Sequence, residues 1–345
     1  MSHLANLAIL LPFALPPAEM ANDLLRVLRA CKTPALAMLL ARAPSPAIER
    51  FDGFSHALPH EIWLARQFGL DRGTQGSNSP PLACAAMRQL GLPAEDGVWF
   101  VLNPVHLHIA RDHIVLTDAR QLDLTEAESR HLFDTARTLV EEEGKLLRYG
   151  DAKTWFLRAD DWKNLQTATP DAACGHNIDI WMPQGDGERA WRKLQNEIQM
   201  HWHIHAVNDA REARAAKPVN SLWLWGGATA SLQAKPATAP TICELPSQLA
   251  VYAPPGSASA QADNKLIASD QLIAPALAGD WGAWLQQLHA LENEQLAPAL
   301  EALQSGALKQ LTLVLSHNTA LAEFVITRNS LRKFWAKPSL KKLLV

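Results

Sequence analysis

The sequence predicts an α/β protein with a mixed, mostly parallel sheet and a smaller α+β subdomain. Three observations carry this expectation. Helical and strand periodicities alternate along the chain; from Gly97 onward the character turns to β; and Ala228–Ala262, rich in Ala, Pro, Ser and Thr with little charge, reads as a linker before a further helix and two strands. At 345 residues and 48% hydrophobic content the chain can fill a substantial core. The expected organisation is an N-terminal α/β part over 1–95, a central or inserted α+β subdomain over 96–227, the linker over 228–262 and a C-terminal α/β part over 263–345.

Taken in order, Leu7–Leu11 is a short buried strand, stopped by Pro12, Pro16 and Pro17. Ala18–Cys31 and Pro34–Ala41 carry apolar residues at helical spacing, and Pro44 and Pro46 end the second helix. His60–Phe68 is a third helix, and Asp71–Pro81, full of Gly, Ser, Asn and Pro, is a connecting loop. Val98–Leu102 is an apolar strand. His106–Ala110 and His113–Thr117 form a hairpin in which alternation puts His106 and His108 on one face.

Leu124–Glu143 is a helix in which Thr125 and Glu128 have the spacing of a capping box. Thr154–Arg158 is a strand, and Trp162–Pro183 is mostly loop. Glu188–Val207 is the clearest helix, with Trp191, Leu194, Ile198, Trp202 and His205 along one stripe. Ser221–Trp225 is a strand with Leu222 and Leu224 on one face, Trp223 and Trp225 on the other, and Gly226-Gly227 predicts a sharp turn after it. A helix over Trp281–Leu303, strands over Leu311–Leu315 and Leu321–Thr327, and a basic solvated tail complete the chain.

Several functional classes are excluded. A net charge of −3 and no basic block before the C-terminal cluster Arg332, Lys333, Lys337, Lys341 and Lys342 argue against nucleic acid. No run approaches the roughly 20 apolar residues of a membrane span. The apolar run Leu7–Leu15 is broken by Pro12 and lacks a positive region before it, so it does not read as a signal peptide. Cys31, Cys84, Cys174 and Cys243 form no C-x-x-C pair, which fits a reducing cytoplasm. Neither a glycine-rich phosphate cradle nor a G-x-S-x-G elbow occurs.

What remains is a polar constellation: Asn196, Glu197 and Gln199, then Asn208, Arg211, Glu212 and Asn220. Such amides and guanidinium suit two roles, a phosphate or carboxylate ligand or a buried network holding the helix to the Trp223 strand. On a continuous helix His201 and His205, four apart, share a face and form an alternative metal pair without a third ligand.

These residues also carry a resemblance. Asn196-Glu197-Ile198-Gln199-Met200, Val207-Asn208 with Arg211-Glu212, and Val219-Asn220-Ser221-Leu222-Trp223-Leu224-Trp225-Gly226-Gly227 are similar to the signature of the RpfE-type regulatory proteins of proteobacteria, relatives of archaeal-type, cofactor-independent phosphoglycerate mutases. Asn103-Pro104-Val105-His106-Leu107, Trp155 with Leu157-Arg158, and Phe334-Trp335 agree, and the similarity runs from about Leu58 to Gly227. The resemblance implies alkaline-phosphatase-like ancestry and a substrate-side portion that adds Arg158 and His106 to Asn196, Gln199, Asn208, Arg211 and Asn220 as ligand-binding candidates.

In the mutases so implied, two divalent metals activate a serine, held by an Asp-Gly after the first strand and a late Asp-His pair. This chain has Pro12-Phe13 and His317-Asn318 at those places. The resulting expectation is a metal-site-deficient, cytoplasmic regulatory or ligand-binding protein without a cofactor. Its partner would be a small phosphorylated or carboxylated ligand, or another protein. The alternative is an active phosphoglycerate mutase or phosphohydrolase whose manganese or zinc is held by displaced ligands among His106, His108, His201 and His317.

Overall fold

The computed structural model describes residues 5–30, 33–70, 76–232, 241–253, 263–333 and 335–344. Cys31, the first part of the 71–81 loop, much of the 228–262 linker and Phe334 lie outside the described residues. The chain divides into two compact units, one made of 1–53, 59–69 and 236–345, the other of 54–58 and 70–235.

The first unit opens with β1 (Asn6–Leu11), α1 (Ala21–Ala30), α2 (Pro34–Arg42), β2 (Ala47–Arg50) and α3 (Pro59–Gln67). The second contains α4 (Ala83–Gln89), β3 (Val98–Val105), β4 (Leu107–Ala110), β5 (His113–Leu116), α5 (Glu126–Glu142), β6 (Leu146–Asp151), β7 (Thr154–Arg158), α6 (Pro170–Ala173), α7 (Glu188–His203), α8 (Ala206–Ala213) and β8 (Ser221–Thr229). The chain then returns to the first unit with β9 (Thr241–Glu244), α9 (Ser247–Ala250), β10 (Asn264–Ala268), α10 (Ile273–Leu277), α11 (Trp281–Leu291), α12 (Ala297–Ser305), β11 (Gln310–Ser316) and β12 (Ala320–Thr327).

The first unit is an α/β body around a six-stranded sheet of order β2-β12-β11-β1-β10-β9. Its mostly parallel character comes from β1, which pairs parallel with both β10 and β11, while β9 extends the parallel side and β12 and β2 add antiparallel strands. Ile9, Leu10 and Leu11 are fully buried, as expected of a central strand covered on both faces. The composition of the linker concealed β9, a strand on the sheet edge. The expected single helix over 281–303 is interrupted by a π-helical turn at Glu292–Leu296. Pro298 lacks an N–H and crowds the preceding turn, and a widened turn accommodates it. The basic tail is not simply solvated: Lys342 donates to the carbonyl of Ala43, and Leu340 and Leu343 are buried.

The second unit is built on an antiparallel sheet of order β6-β7-β3-β8. One face packs Leu102, Trp155, Leu157, Leu222 and Leu224 against Leu132 and Ala136 of α5 and Trp191, Leu194, Ile198 and Trp202 of α7. The other face sets Trp99, Val101 and Phe156 against Ala83, Cys84 and Met87 of α4. This strict alternation is the pleat expressed as two cores. The residues before position 96 therefore include a helix that packs with this unit.

Gly226 and Gly227 do not end the strand. β8 continues to Thr229 through a bulge, with the register against β3 shifting between Trp99 and Val101 and Gly226 at φ +71°. A Cβ on Gly227 would stand 2.6 Å from Cε1 of Phe100, so the glycine pair admits a ring against the backbone. No helix among the described residues is long and apolar enough to cross a membrane. Gly227→Ala is expected to lower the unfolding free energy by about 1–3 kcal/mol through overpacking, measured by urea denaturation followed by tryptophan fluorescence.

Candidate functional site

The residues nominated by the sequence come together mainly as a clamp. The helix expected to reach Val207 breaks at Ile204, and Asn208 explains the break. Its Nδ2 donates to the carbonyls of Trp202 (2.8 Å) and Val219 (2.9 Å), and its Oδ1 accepts from the N–H of Val219 (2.8 Å). The amide thus takes a terminal carbonyl of α7 and ties it to the segment entering β8. His205 starts the next helix, its Nδ1 accepting from the N–H of Val207 at 3.1 Å.

Arg211 is fully buried. Its Nε donates to the carbonyl of Lys217 (2.7 Å), Nη2 donates to the carbonyl of Leu122, and Nη1 donates to Oε2 of Glu128 (2.9 Å). Arg214 donates to the other Glu128 oxygen at 2.5 Å. Glu128 also closes the expected capping box of α5, where Oε2 accepts from the N–H of Thr125 (3.0 Å) and the Thr125 hydroxyl accepts from the N–H of Glu128 (3.3 Å). Burial opposes ionisation of Glu128, but the bonds from Thr125 and Arg214 and the charge of Arg211 prevail and hold its carboxyl below the usual range.

Asn220 imitates a strand partner, accepting from the N–H of Leu107 and donating to its carbonyl, both at 2.8 Å. Gln199 donates to Oγ of Ser221 (2.9 Å). Gln195, which no motif signalled, donates to the same oxygen (3.1 Å) and to the carbonyl of Leu222 (2.8 Å). Of the two roles left open for this constellation, Gln199, Asn208, Arg211 and Asn220 fill the structural one. Asn196 is exposed on the outer side of α7.

The remaining candidates are scattered. His106 places Nδ1 2.8 Å from the carbonyl of Pro218 and stacks on His108 with centroids 6.1 Å apart, confirming the shared face. Burial lowers its pKa, and the cationic neighbours Lys217 and Arg211 add to the effect. Arg158 pairs with Asp160 at 2.9 Å, across from Trp99 at the opposite end of β3 from His106, about 20 Å along the strand. Arg158 and His106 therefore do not belong to one site. The metal pair fails on geometry, because α7 ends between His201 and His205 and Nδ1 of His205 caps α8. The displaced-ligand set also divides, with His106, His108 and His201 in the second unit and His317 in the first.

The carboxyl ends of β1, β10 and β11 form the other candidate, in the first unit, where α/β sheets place ligands. After β1 come Pro12 and Phe13. Phe13 is buried at φ +58°, its carbonyl accepts from Nε1 of Trp284 (2.8 Å), and its ring lies edge-on to His60 at 6.0 Å. After β10, Ser269 accepts from the N–H of Gln271. At the end of β11, Ser316 is fully buried; His317 holds Nδ1 2.8 Å from Oδ1 of Asn318, and burial lowers its pKa.

No family model matches the chain. Over 208 residues it is 24% identical to a 2,3-bisphosphoglycerate-independent phosphoglycerate mutase of Methanosarcina mazei, covering 58% of this chain and 49% of that protein. Over 163 residues it is 26% identical to a probable enzyme of the same name from Geobacter sulfurreducens, covering 46% and 40%. The chain is a distant homologue of these mutases. The matched stretches span half or less of the relatives' own length. Among solved structures, the PH0037 protein of Pyrococcus horikoshii aligns over 95% of this chain and 88% of its own, with a TM-score of 0.53 and 11% identity, a likeness of fold. The cofactor-independent phosphoglycerate mutase of Thermoplasma acidophilum DSM 1728 aligns over 100% and 95%, with a TM-score of 0.46 and 13% identity.

The residues present do not fit the pair of divalent cations that the resemblance implies. The end of β1 supplies a proline and a phenyl ring in place of hard oxygen donors, Ser316 and Ser269 offer neutral hydroxyls, and Asp270 after β10 and His317 after β11 leave one carboxylate and one imidazole for two cations. Among the described residues no three His, Cys, Asp or Glu side chains converge as a metal would require.

Glu128→Gln should cost about 3 kcal/mol near neutral pH, because it removes the counter-charge of buried Arg211. Since the folded pKa of Glu128 is depressed, its contribution is complete above the ordinary glutamate range and is lost as pH falls through the lower folded value. Urea unfolding at a series of pH values should show that acid limb in the parent protein and a diminished one in the variant.

Proposed function

We propose that the chain is a metal-site-deficient homologue of the cofactor-independent phosphoglycerate mutases, acting as a regulatory or ligand-binding protein rather than as a mutase. The observation that carries this reading is Phe13. Its φ of +58° is the left-handed conformation that a glycine adopts without cost and that disfavours other residues by about 1–2 kcal/mol. The Asp-Gly implied at this place by the resemblance would fit that turn. Pro12-Phe13 brings no carboxylate to this turn, and the buried Phe13 ring, edge-on to His60, offers apolar surface in its place.

The second unit supports the same reading from another side. Its signature segment is engaged in holding α5, α7, α8 and β8 together, so its presence does not require the phosphoglycerate chemistry of the relatives. A small phosphorylated or carboxylated ligand, or another protein, is the proposed partner class.

The test is a coupled assay of phosphoglycerate interconversion with manganese or zinc supplied. The expected result is no turnover above the uncatalysed background. Turnover at enzyme-like rates, lost on substitution of His106, His108, His201 or His317, would instead establish an active site with displaced ligands.

A further inference from the structure

Beside α5 and the edge strand β6, the second unit carries a groove of about 340 Å³ that belongs neither to the clamp nor to the sheet edge of the first unit. Its positive charge comes from three arginines, Arg130, Arg137 and Arg148, with no lysine, and one carboxylate, Asp134, lines it as well. Each guanidinium is set against an aromatic ring: Arg130 lies 4.2 Å from the centroid of Tyr149, Arg148 5.2 Å from that of Trp99, and Arg137 5.8 Å from that of Phe133. Rings in these positions orient the planar forks and take up their faces, so that hydrogen bonding is left to the N–H edges. Leu92, Leu147, Phe133 and Tyr149 supply its apolar walls.

Each arginine also has one carboxylate neighbour, Glu126 at 2.8 Å, Asp134 at 3.1 Å and Glu95 at 2.7 Å. The Arg130 and Arg137 pairs are about half exposed, so they hold their geometry weakly and can exchange for a stronger acceptor. Arg148 also donates to the carbonyl of Pro93 at 3.2 Å; with five N–H donors on each guanidinium, these partners still leave donors for a ligand. The acidic rim disfavours a long polyanion such as nucleic acid, and the volume admits a small molecule.

We propose that this groove binds a compact organic or inorganic polyanion, one carrying two or three phosphate or carboxylate groups, through the forks of Arg130, Arg137 and Arg148. The inference rests on the ligand-binding reading above and gives that reading a location.

Isothermal titration of the full chain with pyrophosphate, and separately with citrate, tests it. Saturable binding of at least one probe is expected; the better probe distinguishes phosphate from carboxylate chemistry. Arg137→Gln combined with Arg148→Gln should weaken binding at least tenfold, and Asp134→Asn, which removes a competing carboxylate, should tighten it a few-fold. Lys193→Gln, a charge change on exposed α7, should leave it unchanged. Equal affinity in the double variant and the parent overturns the groove as the site and leaves the ligand-binding reading standing. No binding of either probe overturns the groove proposal alone, whereas turnover in the phosphoglycerate assay overturns the reading beneath it.

Discussion

The buried guanidinium of Arg211 is the contact on which the second unit depends. A charge removed from water is tolerable only where its hydrogen bonds and counter-charge are complete, and here the partners come from three places in the sequence. The carbonyl of Lys217 lies just beyond α8, the carbonyls of Leu122 and Asp123 precede α5, and Glu128 stands in the first turn of α5. Satisfying one side chain therefore fixes the approach of two helices and the loop between α8 and β8. Asn208 performs the same service for the end of α7, and Asn220 for the strand that follows Val105. The three side chains form one staple, with the large tryptophans of the core packed beneath it.

This dependence explains why a segment so rich in amides, arginine and histidine can be a structural element. Functional groups that have met all their partners within the chain hold shape. The sheet edge of the first unit shows the converse. There the α/β topology prepares a place for a ligand, and the residues that follow β1 are Pro12 and Phe13.

Much of the fold was legible because local rules agreed with tertiary ones. Leu7–Leu11 is apolar on both faces because its strand is central. Thr125 and Glu128 formed the capping box their spacing implied, and the alternation of Leu222 and Leu224 with Trp223 and Trp225 sorted the two faces of β8. Failures arose where a distant partner decided the outcome. The break after α7 depends on Asn208 reaching Val219, and Glu128 binds arginines more than eighty positions away. The bulge at Gly226-Gly227 depends on Phe100, and β9 is a strand because β10 lies beside it. For the candidate site, residue types were readable and their roles were not: a free amide and a satisfied one look alike in a sequence.

The proposed function requires that the turn after β1, with Phe13 at φ +58°, hold no divalent cation. The most direct measurement is a manganese titration followed by electron paramagnetic resonance, in which bound ions lose the signal of the free aqueous ion. The free-ion signal is expected to rise from the first addition as it does in buffer alone. A signal suppressed until about two manganese ions per chain had been added would contradict it.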